Sequence, residues 1–443
     1  VVTLIRGGSI ITANQRGDIL PGGSLLIEGD RIAAVFGPDA DIETSPSEIV
    51  DASRFVIIPG FIQTHVHLCQ TLFRGMADDL QLLDWLGKKI FPLEAAHDER
   101  SIYFSALRGI AELFRSGTTT IMDMGSVNHE EELIKAMGET GLRAFAGKAM
   151  MDINDIYPRL KESSHESLKS TLGLAEKWHG SYEGRIKYAV APRFVLSCSD
   201  RLMRDAYEMT TGFGGMLFHT HASENRDEMQ AVRERCGMGN IEFLNHLGVL
   251  SEKTCLAHCI HVSEKEIGLL QSTKTNVAHC PSSNLKLGSG IADIPAFIGK
   301  RINVTLGADG APCNNTLDIF QEMRLTSLLQ KPFHGPESMP ARSVFEMATL
   351  CGAKALGLDK EIGSIEAGKK ADIVLLDLEK VWNPDARGED LYASIVYSGG
   401  PENVDSVMVN GKWVYRKREF TGIDEERIVF DSKEELRKLI NRL

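Results

Sequence analysis

Val56-Ile57-Ile58-Pro59-Gly60-Phe61-Ile62-Gln63-Thr64-His65-Val66-His67 is the stretch that decides how this chain is read. The apolar residues ending at Ile58, then Phe61 and Ile62, read as buried chain leading to a histidine pair. Side chains at i and i+2 of a strand point to the same side, so both imidazoles reach one metal ion. Alone, an H-x-H pair is as readily two ordinary strand-end histidines as a metal site. Three segments downstream change that balance: His221-Ala-Ser-Glu224, His258 within Cys255-Leu-Ala-His-Cys259, and Asp309 within Asn303-Val-Thr-Leu-Gly-Ala-Asp-Gly310. Three imidazoles and one carboxylate suit a borderline divalent ion, zinc first and ferrous iron second, with room left for water.

Residues 60–67 are the first of eight candidate strands; the others are 118–122, 143–149, 185–191, 216–220, 254–258, 276–279 and 303–307. Longer helical stretches separate them, the rhythm of an α/β chain closing into a (β/α)8 barrel of the TIM type. Barrel active sites sit at C-terminal strand ends, and every candidate ligand falls at such an end. The flanks have another texture. Short β runs at 3–5, 10–11, 24–27 and 31–35 are punctuated by Gly7-Gly8, Pro21-Gly22-Gly23 and Gly29-Asp30. Runs at 371–377, 393–397 and 404–409 repeat the pattern, and Asn410-Gly411 is a strong hairpin signal. The expectation is a small β-sandwich domain from both chain ends, 1–58 with 363–443, around a catalytic barrel at 59–362. A capped amphipathic helix is expected from Ser432 onward, with a packing role only.

Composition excludes several classes. A chain of 443 residues holds one large barrel plus a small companion. Its 43% apolar and 25% charged content is that of a globular protein. A formal charge of −12 argues against nucleic-acid or anionic-membrane partners. The eight cysteines show no C-x-x-C pairing and read as reduced thiols of a cytoplasmic protein. No apolar run approaches the roughly 18 residues of a membrane span, and Val1–Arg6 lacks signal-peptide features.

The metal ligands expected are His65, His67, His221 and Asp309, which leave an open position where water is activated. Glu224, three residues after a ligand, is the expected proton carrier to a substrate ring nitrogen. Asp309 also orients the attacking water, and His258 hydrogen-bonds it. His279 reads as a satisfied core residue.

With these residues in view, the chain resembles the amidohydrolase superfamily over nearly its whole length. The strings that carry the resemblance are Pro59-Gly-Phe-Ile-Gln-Thr-His-Val-His67, Ser116-Gly-Thr-Thr-Thr120, Ala257-His258-Cys259, His279-Cys-Pro-Ser-Ser-Asn-Leu-Lys-Leu287 and Leu306-Gly-Ala-Asp-Gly310. Within it the chain is similar to hydrolytic deaminases of nitrogen heterocycles: guanine deaminases, and the methylthioadenosine/S-adenosylhomocysteine and 5′-deoxyadenosine deaminases, with triazine hydrolases and melamine deaminase as cousins. The resemblance implies one metal, because the lysine that bridges two ions in some relatives is absent from Ala191-Pro-Arg-Phe194.

For substrate the same strings divide. Glu94, with Trp85, resembles the ribose-gripping region of adenosine-type deaminases. Gln70 and the Pro-Arg-Phe segment containing Arg193 and Phe194 resemble guanine deaminases. Gln70 and Arg193 have donors for the carbonyl oxygen of guanine, and Phe194 has a face on which the ring stacks. The balance falls on a purine of guanine type, with the adenosine type and then triazine or melamine hydrolysis as alternatives. Cys313 lies where its loop could touch a leaving group. A scaffolding protein with a disabled site is the reading from another class; four intact ligands and both proton-handling residues weigh against it. A small heterocyclic substrate is the expected partner, with a homodimer or homotetramer as the assembly.

Overall fold

The computed structural model describes residues 1–38, 40–379 and 390–443. Eight parallel strands form the barrel of the larger sheet: Phe61–His67, Thr118–Met124, Arg143–Gly147 (resumed as the short strand Ala149–Met150), Ile186–Pro192, Leu217–Ala222, Thr254–His258, Asn276–His279 and Val304–Leu306. The last strand continues past Gly307 and Ala308 as Asp309–Gly310. Val304–Leu306 pairs with Asn276–His279, whereas Asp309 and Gly310 pair with Val66 and His67 of the first strand. One kinked segment therefore closes the barrel. Gly307 permits it, because a Cβ there would stand 2.5 Å from the His65 carbonyl oxygen and 2.9 Å from the His65 Cβ.

The intervening helices start where their caps dictate. Ser163 with Glu166, Asn225 with Glu228 and Ser263 with Glu266 form capping boxes that satisfy orphan N–H groups. The caps at Asn225 and Ser263 closely follow the strands Leu217–Ala222 and Thr254–His258, whereas a longer connection through Pro158–Leu160 leads to Ser163.

The second sheet is mixed, with nine strands drawn from both chain ends. Val2–Ile11 is bifurcated: its first half pairs with Glu48–Asp51 and its second with Val56–Pro59. Ile5, Ile10, Leu25 and Ile27 share one core with Ile373, Leu375 and Met408, so neither end buries its apolar face alone. Asn410 and Gly411 connect Val404–Val409 to Lys412–Arg416, with φ of 52° and 74°. That is the left-handed pair a two-residue hairpin requires.

By packing, the chain resolves into two compact units. One is Val1–Ile62, Ala111–Thr120 and Asp318–Ile423; the other is Gln63–Ile110, Ile121–Leu317 and Asp424–Leu443. This grouping departs from cuts at 58 and 362, most plainly at the C-terminal helix. That helix spans Glu425–Ile440 and is capped by Asp424, whose carboxylate accepts from the Arg427 N–H at 3.0 Å. Ser432 lies inside it, so the start signal was Asp424 and the acidic pair after it. Glu435 accepts from Arg100 at 2.7 Å, and Leu439 packs with Leu72, Phe73 and Leu93. The strand expected at 393–397 is instead helical: Leu391–Ala393 runs into a wider turn at Ser394–Ser398. Asp390 accepts from the Ala393 N–H at 2.9 Å and nucleates the helix there; an apolar run this short carries no period of its own. Of the 363–443 segment, residues 380–389 lie outside the described residues.

Gly307→Ala is expected to lower stability by about 1–3 kcal/mol, the usual result of overpacking a closed contact. Urea unfolding monitored by circular dichroism checks it, and an unchanged midpoint would remove Gly307 from the account of closure.

Candidate active site

The mouth of the barrel gathers the residues singled out in the sequence, all within the unit that contains Gln63–Ile110 and Ile121–Leu317. His65 and His67 project from one side of a fully buried strand. Asp309 reaches them through the barrel closure: its Oδ1 lies 3.3 Å from His65 Nε2 and 3.2 Å from His67 Nε2. His221 Nε2 stands 3.3 Å from His67 Nε2. The ligand atoms of His65, His67, His221 and Asp309 all lie within 4.8 Å of one another, and among the described residues they form the cluster suited to a metal ion.

The imidazoles are oriented from behind. His67 Nδ1 is 2.7 Å from the Met124 carbonyl oxygen, and His221 Nδ1 is 2.7 Å from that of Arg193. A carbonyl only accepts, so both rings carry their proton on Nδ1 and turn an Nε2 lone pair inward. His65 Nε2 is buried without a hydrogen-bond partner. Such an orphan, converging with two inward lone pairs and a carboxylate, fits a divalent cation.

Burial pushes the His65 ring down to about 4 even against the pull of Asp309. Burial likewise lowers His221 well below the ordinary range. His67 is displaced downward by burial too, but its contact with Asp309 outweighs that and raises it. Burial raises Asp309, yet the His65 and His67 rings overcome it and hold the carboxyl well below its usual range. His65 and His221 are thereby held neutral beside an ionised carboxylate, while Asp309 draws His67 toward its charged form.

Glu224 and His258 face this cluster. Glu224 is buried, and burial, Asp309 and Glu228 together drive its carboxyl well above the ordinary range. His258 donates Nδ1–H to Asn284 Oδ1 at 2.8 Å, which leaves Nε2 3.5 Å from Glu224 and 3.8 Å from Asp309. Four non-glycine residues here adopt left-handed backbone: Ser223 (φ 55°), His258 (74°), Cys259 (48°) and Asp309 (63°). Strain of about 1–3 kcal/mol apiece is retained where it aims side chains into the mouth.

A pocket of about 380 Å³ opens over the cluster. Leu82, Trp85, Leu86, Phe194 and Leu287 give it apolar walls, and Gln70 and Arg193 line its polar side. Glu94 stands behind that polar side. Arg193 grips it through Nη1–Oε2 at 2.7 Å and Nη2–Oε1 at 3.1 Å, and Gln70 Nε2 donates to Oε1 at 2.8 Å. Part of the donor capacity expected to read a ring carbonyl is therefore spent on Glu94: two of the five N–H groups of Arg193 and one of the two on Gln70. Gln70 Oε1 is left buried without a partner. Exchanging the two ends of its amide would set oxygen against the Glu94 carboxylate, so the unpaired group is an acceptor.

Cys313 is fully buried in an apolar cluster with Trp85 and Phe194, its thiol 3.1 Å from the Gly310 carbonyl, and it is not part of the pocket wall. His279 is buried as expected but not satisfied, since neither ring nitrogen has a hydrogen-bond partner. Several groups escaped the sequence reading. His219, in a second H-x-H with His221, lies 2.8 Å from His65 Nδ1. Ser283 donates to Asp309 Oδ2 at 2.5 Å, and Glu228 accepts from the Glu224 N–H at 2.8 Å. The repeat of the H-x-H pattern was the available signal for His219, and the Asn225-x-x-Glu228 spacing marks Glu228 as a helix cap; Ser283 sits on a helix first turn with no spacing that marks it.

Comparisons with known proteins agree with this geometry. The model of the amidohydrolase family matches residues 56–414. A 5-methylthioadenosine/S-adenosylhomocysteine deaminase of Moorella thermoacetica is 37% identical over 93% of this chain and 94% of its own. A 5′-deoxyadenosine deaminase of Methanobrevibacter smithii is 38% identical over 94% of each. An adenosine deaminase from Xanthomonas campestris with bound zinc shares the fold at a TM-score of 0.92 and 27% identity, over 99% of this chain and 98% of its own. The guanine deaminase of E. coli does so at 0.85 and 29%, over 94% and 100%. The protein is a hydrolase acting on carbon–nitrogen bonds of a heterocycle at a divalent-metal site. The match over 56–414, with relatives above one-third identity along nearly their full length, establishes that the chain belongs to the amidohydrolase family.

Proposed function

We propose that this protein is a zinc-dependent deaminase of adenine-type nucleosides, in the class of 5′-deoxyadenosine, methylthioadenosine and S-adenosylhomocysteine. The observation that carries the substrate reading is the polar wall of the pocket. Gln70 and Arg193 both aim donors at Glu94, and the atom of the two side chains left buried with no partner at all is the Gln70 carbonyl oxygen. Behind it is a carboxylate with lone-pair capacity to spare. Acceptors suit a partner that brings O–H groups, as a ribose diol does; a guanine carbonyl needs donors. The names of the relatives at 37% and 38% identity support the same class. A guanine-type substrate is the second reading. Gln70, Arg193 and Phe194 on the pocket wall favour it, as does the likeness to guanine deaminase, and it would draw on the N–H groups of Arg193 and Gln70 that Glu94 does not take.

In this reading His65, His67, His221 and Asp309 hold the ion, which supplies Lewis-acid activation of water. Glu224 takes a water proton and delivers it to the ring nitrogen beside the carbon under attack; its neutral-leaning environment makes it a competent donor at that moment. His258, with Nδ1 fixed by Asn284, presents Nε2 to orient the water. Asp309, held ionised, fixes the opposite side. Leu82, Trp85 and Phe194 keep bulk water from the ring, and once the remaining proton of the water passes from the attacking oxygen to the amino group, that group leaves as ammonia.

Elemental analysis is expected to find one divalent ion per chain, and His67→Ala to lose it while the sheet of the chain ends stays folded. None, or two, in active enzyme would refute the ligand set. Glu224→Gln keeps shape without carrying protons, so kcat should fall by about 10²-fold or more with the metal retained. Near-normal turnover would reassign the proton carrier. In an ammonia-release screen, 5′-deoxyadenosine or methylthioadenosine should exceed guanine in kcat/KM, and Glu94→Gln should lower the nucleoside rate by about 10-fold or more. Guanine turning over faster, with Glu94→Gln indifferent, would restore the second reading.

A further inference from the structure

We propose that His219 is a positioning residue that fixes the tautomer of His65, and so decides which of its nitrogens faces the metal site. The inference rests on the reading of His65 as a metal ligand. His219 and His221 are i and i+2 on Leu217–Ala222, so both face the barrel interior, and His219 is fully buried. Its Nδ1 is 2.9 Å from the carbonyl oxygen of Cys255, its register partner on Thr254–His258. That oxygen only accepts, so the His219 proton sits on Nδ1 and Nε2 is left as an acceptor. Nε2 lies 2.8 Å from His65 Nδ1, which must then be the donor. With its proton on Nδ1, His65 has an Nε2 lone pair, and that atom has no hydrogen-bond partner of its own.

The reversed arrangement, with His219 Nε2 donating, would set a bare Nδ1 lone pair against the Cys255 oxygen at 2.9 Å. Repulsion there disfavours it. His67 and His221 reach the same state more directly, through the carbonyls of Met124 and Arg193. His65 has an imidazole in the place of a carbonyl, and the instruction comes from one strand further away. A ring retained merely for packing would have no reason to match both neighbours in donor and acceptor sense. His219 touches neither Asp309 nor the pocket wall in any contact above, so its influence passes through His65.

Zinc affinity, read by competition with a chromogenic chelator on stripped protein, tests this without using turnover. His219→Leu fills the space and removes both hydrogen bonds; it should weaken zinc binding by about 10–100-fold, the usual effect of losing such a partner. His219→Gln has an oxygen to accept from His65 and an amide to donate to Cys255, so it should recover most of that loss. Melting of the stripped proteins separates folding from binding. Unchanged affinity in His219→Leu, or equal loss in both variants with intact folding, overturns the proposal. Should His219→Leu not fold, nitrogen-15 spectra of the stripped wild-type imidazoles decide: His65 protonated on Nδ1 supports the proposal and protonated on Nε2 overturns it. His67→Ala is the control for the ligand reading. If that variant binds zinc like the wild type, the ligand set fails; if it loses zinc while His219→Leu does not, only the role of His219 fails.

Discussion

Asp309 among the imidazoles of His65, His67 and His221 is the interaction on which the mouth of this barrel depends. Its position follows from the kink at Gly307 and Ala308, where the last strand leaves the pairing with Asn276–His279 and takes up pairing with the first. The same few residues therefore close the barrel and deliver its carboxylate. An ionised carboxylate in that setting is costly unless paired, and the pairing has to come from the histidines or from a cation among them. His65 and His67 meet the carboxylate with Nε2, and His221 turns its Nε2 into the same cluster. The charge logic of the site and the closure of the fold are one constraint.

Two carboxyls so close in the same mouth are driven apart by their surroundings. Asp309 sits against the His65 and His67 rings and stays ionised; Glu224 faces Asp309 and Glu228 and is pushed toward its neutral form. Separation of that kind lets one group act as a fixed negative charge while the other exchanges protons. Glu228 has a double part, since it also accepts from the backbone N–H of Glu224 and Asn225, capping the helix Arg226–Cys236. Its capping bonds anchor the turn on which Glu224 stands.

Much of this was legible in the residues. The eight strands, the site at their C-terminal ends and the set of His65, His67, His221, Glu224, His258 and Asp309 follow from apolar runs that end in chemistry-bearing residues. Buried parallel strands leave that mark because both of their faces are covered. The failures lie where no period operates. Residues 393–397 form too short a run to distinguish a strand from a turn of helix, and a cap at Asp390 decided the matter. The C-terminal helix begins at Asp424 because an acidic cap there outweighs the Ser432 signal inside it. His219 went unread because its value lies in a hydrogen bond to another strand, which spacing does not encode.

The polar wall illustrates a deeper limit. Residue types single out Gln70, Glu94 and Arg193, and the structure puts Gln70 and Arg193 on the pocket wall, but residue types do not tell which would be spent on the others. Arg193 and Glu94 are both buried, and a buried carboxylate left unpaired costs more than a surface one, so their bidentate pairing takes precedence over either reaching for a ligand. Gln70 then has one orientation that avoids opposing Glu94, and it turns an oxygen away from the ion pair. A wall whose residues are rich in donors thereby spends several of them on Glu94 and leaves one oxygen without a partner. Specificity in such a site is set by the hydrogen bonds the wall makes to itself, and only what those bonds leave over is available to the substrate.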